Sequence, residues 1–392
     1  MRIPKPAALA ATIALALAGT APAAGAGPML DLRYRYEQVE EDPFERDARA
    51  HTLRARLGWR WQPAERWSAF AEFEHVQALS DSYNSTANGR TRYPVVADPE
   101  ATELNQLYVA WQGAAAGAIL GRQRINLDNQ RFIGAVGWRQ NEQTFDALYA
   151  NWQPAADWTL RYGYLAKVHR VFGDDHPNPL MAERDLDAHV LNLAYAGAGG
   201  RWIGYAYLIE DQDAAAASSA TFGLRHTGEH AFGETTLAWT VELAHQSDHS
   251  NNPADYGARY WLLEPSLRWR GLVFRAGWEH LGGDGRSAVQ TPLATLHAFN
   301  GWADRFLTTP PGGLEDRYLG IGGPLGPMTW SLVYHDFEAD TGGDYGREWD
   351  ASLAWPLPHG FAALAKLARY DARGHSTDVT KLWLQLEWKY AR

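Results

Sequence analysis

The chain contains no cysteine among its 392 residues. Disulfide bonds and thiolate metal sites are therefore excluded, and the fold depends on hydrogen bonding and packing alone. Beyond its first residues the chain has no apolar run long enough for a transmembrane helix, and its mean hydropathy is −0.40. An excess of positive charge is also missing: the formal net charge of −10 argues against a protein that binds nucleic acid.

The first residues have the composition of an export signal. Arg2 and Lys5 form a basic start, and residues 7–17 are an apolar run made mainly of Ala, Leu and Ile. Two groups of small residues, Ala21–Ala23 and Ala24–Ala26, are candidate cleavage points. We interpret residues 1–26 as a secretory signal peptide and residues 27–392 as one domain, because no linker divides the latter.

A two-residue periodicity dominates the rest of the chain. Between Leu53 and Trp61 every second residue is apolar or aromatic, and the residues between them are three arginines and a glycine. A strand with this pattern suits a barrel wall that has lipid outside and a polar lumen inside. About eighteen segments of this kind follow one another between Leu30 and Tyr390.

The breaks between these segments alternate between short turns and long loops. The long breaks include residues 80–101, 128–140, 171–185, 246–256 and 284–314. Barrels of the bacterial outer membrane have short periplasmic turns and long extracellular loops, so the alternation predicts this location. We therefore predict an all-β fold, a transmembrane antiparallel β-barrel of eighteen strands. The weakest segment is Glu315–Gly322, and its loss together with one neighbour would leave sixteen strands.

The aromatic residues support the same orientation. The chain has 18 Trp, 18 Tyr and 13 Phe, and Trp and Tyr are enriched where a membrane meets water. The tryptophans within a few residues of a short turn are Trp61, Trp67, Trp111, Trp152, Trp158, Trp202, Trp269, Trp330 and Trp355. We predict that they form a girdle at the periplasmic rim.

Three stretches of the sequence resemble the alginate export family of outer-membrane porins. The first is Gly121–Gly134 (GRQRINLDNQRFIG), which is followed by the Phe145-Asp146 pair. The second is Phe299–Asp304 (FNGWAD), and the third comprises Tyr370–Ala372 and Lys381–Glu387. The resemblance implies an eighteen-stranded barrel and the export of a polyuronate. The chain departs from the family pattern at Gln143, where the family tends to have Arg.

Basic side chains recur at positions that we predict to face the lumen. A fixed positive field makes it easier for an anion to leave bulk water, and Arg can grip a carboxylate with two parallel hydrogen bonds. The predicted solute-contacting lumen residues are Arg33, Arg54, Arg56, Arg122, Arg124, Arg131, Asp146, Arg161, Lys167, Arg275 and Lys366. We expect that neutralising Arg54 or Arg122 lowers anion selectivity.

The alternative is that these basic groups only brace the barrel by pairing with lumenal carboxylates. Carboxylates predicted on the same face are Glu72, Glu74, Asp146, Glu242, Glu264, Glu348 and Asp350. The aromatic-rich break 284–314 leaves two possibilities as well: it folds into the lumen or it is an exposed loop.

The main functional hypothesis is an outer-membrane channel for hydrophilic, anionic solutes. Its specific form is a polyuronate exporter, for which the sequence leaves open whether a periplasmic partner feeds the pore. A general porin for sugars, organic acids or aromatic compounds is one alternative, and a barrel lipid hydrolase or a structural barrel is another. The sequence has no His-Glu-x-x-His motif and no Ser-His-Asx grouping at a rim. We therefore predict no enzymatic activity, no metal and no cofactor, and a lipid-embedded monomer.

Overall fold

The computed structural model describes residues 27–391 and consists mainly of antiparallel strands, which we number β1 to β18. The predicted signal peptide lies outside the described residues. The strands are Gly27–Glu41, Ala48–Ala64, Trp67–Ala78, Ala101–Gln112, Ala116–Gln123, Thr144–Ala155, Trp158–His169, Glu183–Gly197, Gly200–Asp211, Ser219–Phe232, Thr235–Asp248, Gly257–Trp269, Leu272–Leu281, Leu314–Leu325, Met328–Glu338, Asp344–Pro356, Phe361–Ala372 and Val379–Ala391.

In the described part of the chain, helical structure is confined to short turns. One α-helical turn spans Pro179–Ala182, and 3-10 turns span Ala215–Ala217, Leu296–Ala298 and Pro358–Gly360. Among residues 27–391 no helix has the length and apolar character needed to cross a membrane.

The strands form one closed sheet. Each strand pairs with its neighbours in chain order, and β1 also pairs with β18, with Met29 opposite Ala391 and Glu41 opposite Val379. Closure satisfies the backbone groups that an edge strand would expose to lipid. The predicted eighteen-stranded barrel is confirmed, and the segment around Glu315 forms a complete strand, β14.

Side chains alternate between the two faces of the wall. In β2 the outward Leu57 and Trp59 are each 58% exposed, whereas the inward Arg54 is 0% exposed. The nine tryptophans near the short turns all follow the outward alternation, and most of them are exposed on that face. Their position agrees with the predicted aromatic girdle.

Short turns and long loops occupy opposite rims, as the sequence predicts. Within residues 27–391, eight short turns lie at the rim that also holds both described ends of the chain. The connection between β12 and β13 consists of only Arg270 and Gly271, with φ of 49° and 85°. Two consecutive positive φ values are the geometry of a tight hairpin turn whose twist matches that of the strands.

Two long loops from the opposite rim fold into the barrel. We call residues 124–143, between β5 and β6, loop A, and residues 282–313, between β13 and β14, loop B. The loops pair through a bridge between Ile133 and Leu293, and the Gly134 N–H donates to the Leu293 carbonyl at 2.9 Å. Ile133 and Leu293 are buried in a cluster that includes inward residues of the wall. Loop B therefore folds into the lumen, the first of its two predicted possibilities.

Candidate functional site

Loop A is held against β1 by two inward arginines. The Arg33 guanidinium donates to the Gly137 carbonyl at 3.1 Å and forms an ion pair with Glu387 of β18 at 2.8 Å. The Arg35 guanidinium donates to the Trp138 carbonyl at 2.5 Å. Both arginines are buried, so they anchor loop A to the wall instead of lining a water-filled path.

The same part of loop A reaches β2 and loop B. The Gln140 amide donates to the Thr52 hydroxyl at 2.8 Å. Arg139 forms one ion pair with Glu37 of β1 at 3.3 Å and another with Asp304 of loop B at 2.9 Å. One arginine thus joins the wall and both inner loops.

Loop B meets the wall in an aromatic cage around Lys366 of β17. The Lys366 ammonium lies 3.7 Å from the centre of the Trp302 ring and 4.0 Å from that of Trp138, distances that suit cation–π attraction. Its nitrogen is 2.8 Å from His297 Nε2. Lys366 does face inward as predicted, but it is buried beneath the loops.

His297 and Asp304 of loop B continue this contact chain. His297 Nδ1 lies 2.7 Å from Asp304 Oδ1, and Asp304 Oδ2 accepts from Lys381 of β18 at 3.0 Å. Burial, assisted by Lys366, holds the pKa of His297 well below its usual range despite Asp304. Burial opposes the charge of Asp304, but His297 and Lys381 outweigh it and keep the pKa of this carboxyl well below its usual range.

The FNGWAD stretch, Phe299–Asp304, forms a sharp turn of loop B beside these contacts. Asn300 and Gly301 have φ of 55° and 83°, so the chain turns sharply at this point. The Asn300 amide donates to Glu279 at 2.7 Å, and the Ala303 N–H donates to Glu348 at 2.6 Å. A Cβ at position 301 would lie 2.3 Å from the Glu348 carboxylate, which only glycine avoids.

On the opposite side of the barrel, loop A contacts β9, β12 and β13. Arg131 pairs with Glu279 at 2.8 Å. The Phe132 ring packs against Tyr205 and Tyr260, with ring centres 5.6 and 5.4 Å away. The two inner loops therefore cross the lumen from one wall to the other.

Carboxylates neutralise most of the predicted lumen arginines. The pairs are Arg33 with Glu387, Arg54 with Asp31 and Glu387, Arg56 with Glu74 and Glu142, Arg124 with Glu72 and Glu142, Arg131 with Glu279, and Arg275 with Glu264. Burial opposes the charge of Glu142, yet Arg124 and Arg56 lower its pKa to about 2. The bracing alternative thus describes these groups, although Arg124 and Arg275 keep about a third of their side chains exposed.

Three predicted lumen residues face outward instead, namely Arg122, Asp146 and Lys167. Arg122 follows the exposed Leu120 on the outer face of β5 and pairs with Asp146 of β6 at 3.0 Å. Strand β5 ends at Gln123, and Arg124 already belongs to loop A. The inward direction of Arg124 therefore does not predict the direction of Arg122, which follows the alternation within the strand. Lys167 follows a register shift in β7, which reverses the face of every later residue, and it pairs with Asp185 on the outer surface.

The carboxylates predicted to balance the arginines divide into two groups. Glu242 pairs with Arg225, which the sequence prediction omitted, while Glu348 and Asp350 pair with no arginine among residues 27–391. Asp350 instead accepts from the Trp302 N–H at 3.1 Å. Glu348 and Asp350 therefore hold loop B.

Inward arginines without a carboxylate partner gather at the short-turn end of the barrel. Within residues 27–391, Arg60, Arg161, Arg201 and Arg268 have no carboxylate oxygen within 4.0 Å, and each lies within a few residues of a short turn. Only Arg161 was among the predicted site residues. The other three sit on the polar face of strands that the periodicity identifies, so the pattern could have found them. Glu229 of β10 also faces inward at this end.

Solved structures with a similar fold include an outer-membrane protein. The chain is similar to the outer membrane protein OpdK from Pseudomonas aeruginosa, with a TM-score of 0.73 and 12% identity over 94% of this chain and 100% of that chain. For OccK9 (OpdG) from the same organism the TM-score is 0.76, with 16% identity over 94% and 98%. For OccAB4 from Acinetobacter baumannii it is 0.72, with 15% identity over 93% and 97%.

Sequence comparison identifies the family. A search of curated proteins gave no match. The alginate export family model matches residues 29–279, which is more than half of the chain. The barrel and this match together make the protein an integral channel of the bacterial outer membrane and not an enzyme. The chain belongs to the alginate export family.

Proposed function

We propose that this channel passes small hydrophilic anions, such as organic acids, by diffusion, and that it does not export a polymer. The observation that carries the proposal is the crossing of the lumen by loops A and B. Buried contacts fix loop A on opposite walls, through Arg33 with the Gly137 carbonyl and through Arg131 with Glu279. Loop B is fixed on the same two sides, by Asp304 with Lys381 of β18 and by Asn300 with Glu279 of β13. A flexible polyuronate needs a wide and continuous path, whereas a small solute needs only a gap beside the loops.

The preference for anions rests on the unpaired arginines at the short-turn end. Arg60, Arg161, Arg201 and Arg268 face the lumen with no carboxylate partner among the described residues. Charges that are not neutralised locally project a field into the water of the pore mouth, and this field raises the local concentration of anions. The buried, paired arginines contribute much less to such a field.

One structural neighbour has been solved with a solute of the proposed class. OpdK from Pseudomonas aeruginosa, 12% identical to this chain, is described in a structure with vanillate, a small aromatic carboxylate. The proposal needs no periplasmic partner, and one chain closes the barrel, so a monomer is sufficient. Polyuronate export remains the second candidate because of the family match.

Planar-bilayer recordings across a KCl gradient test the proposal. We expect a reversal potential that indicates anion preference, and we expect the double variant Arg161→Gln/Arg201→Gln to shift it toward cations. Arg347→Gln is the matched control, since Arg347 lies on the outward face beside Asp336. Liposome-swelling assays then compare benzoate or gluconate with alginate oligomers. Swelling with the oligomers at the rate of the small acids would contradict the proposal.

A further inference from the structure

A group of potential metal ligands lies outside the lumen, on the outward face at the extracellular rim. His280 is near the end of β13, Glu315 is near the start of β14, and Asp340 lies in residues 339–343, which we call loop C. One potential ligand atom from each of the three residues lies within 4.8 Å of the other two. His280 and Glu315 are direct cross-strand partners.

The spacing of these atoms suits a small divalent cation. His280 Nδ1 is 3.1 Å from Glu315 Oε1 and 3.9 Å from Asp340 Oδ1. Zinc binds imidazole nitrogen and carboxylate oxygen at about 2.0–2.2 Å, so neighbouring ligands of a tetrahedral site lie roughly 3.4 Å apart. The two measured distances bracket this value, and small side-chain rotations are enough to reach it.

Contacts from outside the group occupy one oxygen of each carboxylate and leave the other on the side of His280, whose Nδ1 is hydrogen-bonded to Glu315 Oε1. Glu315 uses Oε2 to accept from the Trp278 indole at 2.6 Å and from Arg317 at 3.2 Å, which leaves Oε1 facing His280.

Asp340 and His280 are oriented in the same way. The Gly283 N–H donates to Asp340 Oδ2 at 3.0 Å, which leaves Oδ1 free. The His280 ring stacks on Trp261, with ring centres 5.3 Å apart and planes 11° apart. Partners of this type orient metal ligands and strengthen binding.

We propose that His280, Glu315 and Asp340 bind a divalent transition-metal ion, with zinc as the best fit. One imidazole among carboxylates favours zinc or a similar metal over calcium and magnesium, which prefer oxygen ligands only. A cleft of about 470 Å³ opens beside His280 and Asp340, so water can complete the coordination. His280 precedes loop B and Glu315 follows it, so the ion joins both ends of loop B to loop C.

Metal titration of the untagged, refolded full-length barrel in detergent tests the proposal. Isothermal titration calorimetry with ZnCl₂ should give one site per barrel. His280→Ala and Asp340→Asn should each weaken zinc binding by at least about tenfold, the scale that loss of even an outer-shell partner reaches. Zinc should raise the thermal unfolding midpoint of the wild type, because it binds the folded state, and should not do so in the variants.

Two controls and two outcomes make the test decisive. His75→Ala and Asp371→Asn remove one exposed histidine near the end of β3 and one carboxylate near the end of β17, at the same rim, and should leave zinc binding unchanged. Zinc binding by the wild type that is no tighter than binding by His280→Ala/Asp340→Asn would overturn the proposal. So would unchanged binding in His280→Ala, since it would assign the ion to carboxylates alone. A circular dichroism spectrum with wild-type strand content shows that each variant is folded.

Discussion

The indole of Trp138 lies flat against the imidazole of His297, with ring centres 4.5 Å apart and planes 4° apart. Trp138 belongs to loop A and His297 to loop B, so this stack is the closest aromatic contact between the two inner loops on the β17–β18 side. Its position over Lys366 makes it, beside Arg139, a second place where both loops and the wall meet. The relationship suggests how the constriction can be weakened.

Removal of the Trp138 ring should loosen the constriction. Trp138→Ala deletes the contacts with His297, Lys366 and Trp383. Loss of a fully buried aromatic side chain costs about 3–5 kcal/mol, and the partly buried Trp138 should cost less. We expect a higher single-channel conductance and frequent transitions between conductance levels, measured in planar bilayers. Trp278→Ala, which removes an outward tryptophan, should keep the wild-type conductance. Equal records for Trp138→Ala and wild type would mean that this stack does not limit the pore.

Acidification should release loop B through His297. Its pKa in the folded barrel is well below the usual value of about 6.5, so the proton binds more readily when the loop is detached. The anchored state is therefore most stable above pH 6.5 and loses up to about 1.4 kcal/mol for each pH unit below it, until the folded pKa is reached. Asp304, whose pKa is held well below its usual range, remains charged over this interval.

The measurement is channel noise and Trp fluorescence between pH 7.5 and 5. Wild type should become noisier as the pH falls, whereas His297→Gln should give a flat profile, because glutamine cannot be protonated. His245→Gln alters an exposed outward histidine and should behave like wild type. A pH response that survives in His297→Gln would assign the effect to another group.

The ion pair between Arg33 and Glu387 should matter more for stability than for conduction. Both side chains are nearly inaccessible, and Glu387 also contacts Arg54 at 3.3 Å. Glu387→Gln leaves two buried guanidinium groups short of a partner, and breaking buried pairs costs about 3–5 kcal/mol. Urea unfolding in lipid vesicles should show this loss. Asp336→Asn breaks an exposed outer pair and should cost less than about 1 kcal/mol; similar losses in both variants would refute the expected difference.

Arg122 should have no influence on ion selectivity, contrary to what the sequence pattern suggests. It pairs with Asp146 on the outer face of the barrel, separated from the pore by the wall. Arg122→Gln should therefore leave the reversal potential unchanged, while Arg161→Gln should shift it toward cations. A shift of equal size in Arg122→Gln would show that its field reaches the lumen.

The barrel itself was predictable because lipid imposes a strict pattern on each strand. Outward positions such as Leu57 must be apolar, while positions between them are free to be charged, so the period of two appears directly in the sequence. The lengths of the connections then predict which rim faces the periplasm and which faces the outside. The family resemblance then points to the two inner-loop motifs without showing where they lie.

The details of the site were less predictable because a shift of one residue reverses the face of a side chain. The register shift before Lys167 and the end of β5 at Gln123 leave no mark in the alternation, so Lys167 and Arg122 were assigned to the wrong face. The pairing of Arg33 with Glu387 joins opposite ends of the chain. Contacts of this kind depend on barrel closure, which local sequence patterns do not encode.

The pairing of β1 with β18 has a consequence for biogenesis. The first strand finds one of its two partners only when the last strand has been synthesised, since Leu30 lies opposite Tyr390. Without β18, both β1 and β17 would present unpaired N–H and C=O groups to hydrocarbon, which costs several kcal/mol for each group. We therefore expect insertion to require β18. A barrel that lacks β18 would keep two open sheet edges in the membrane.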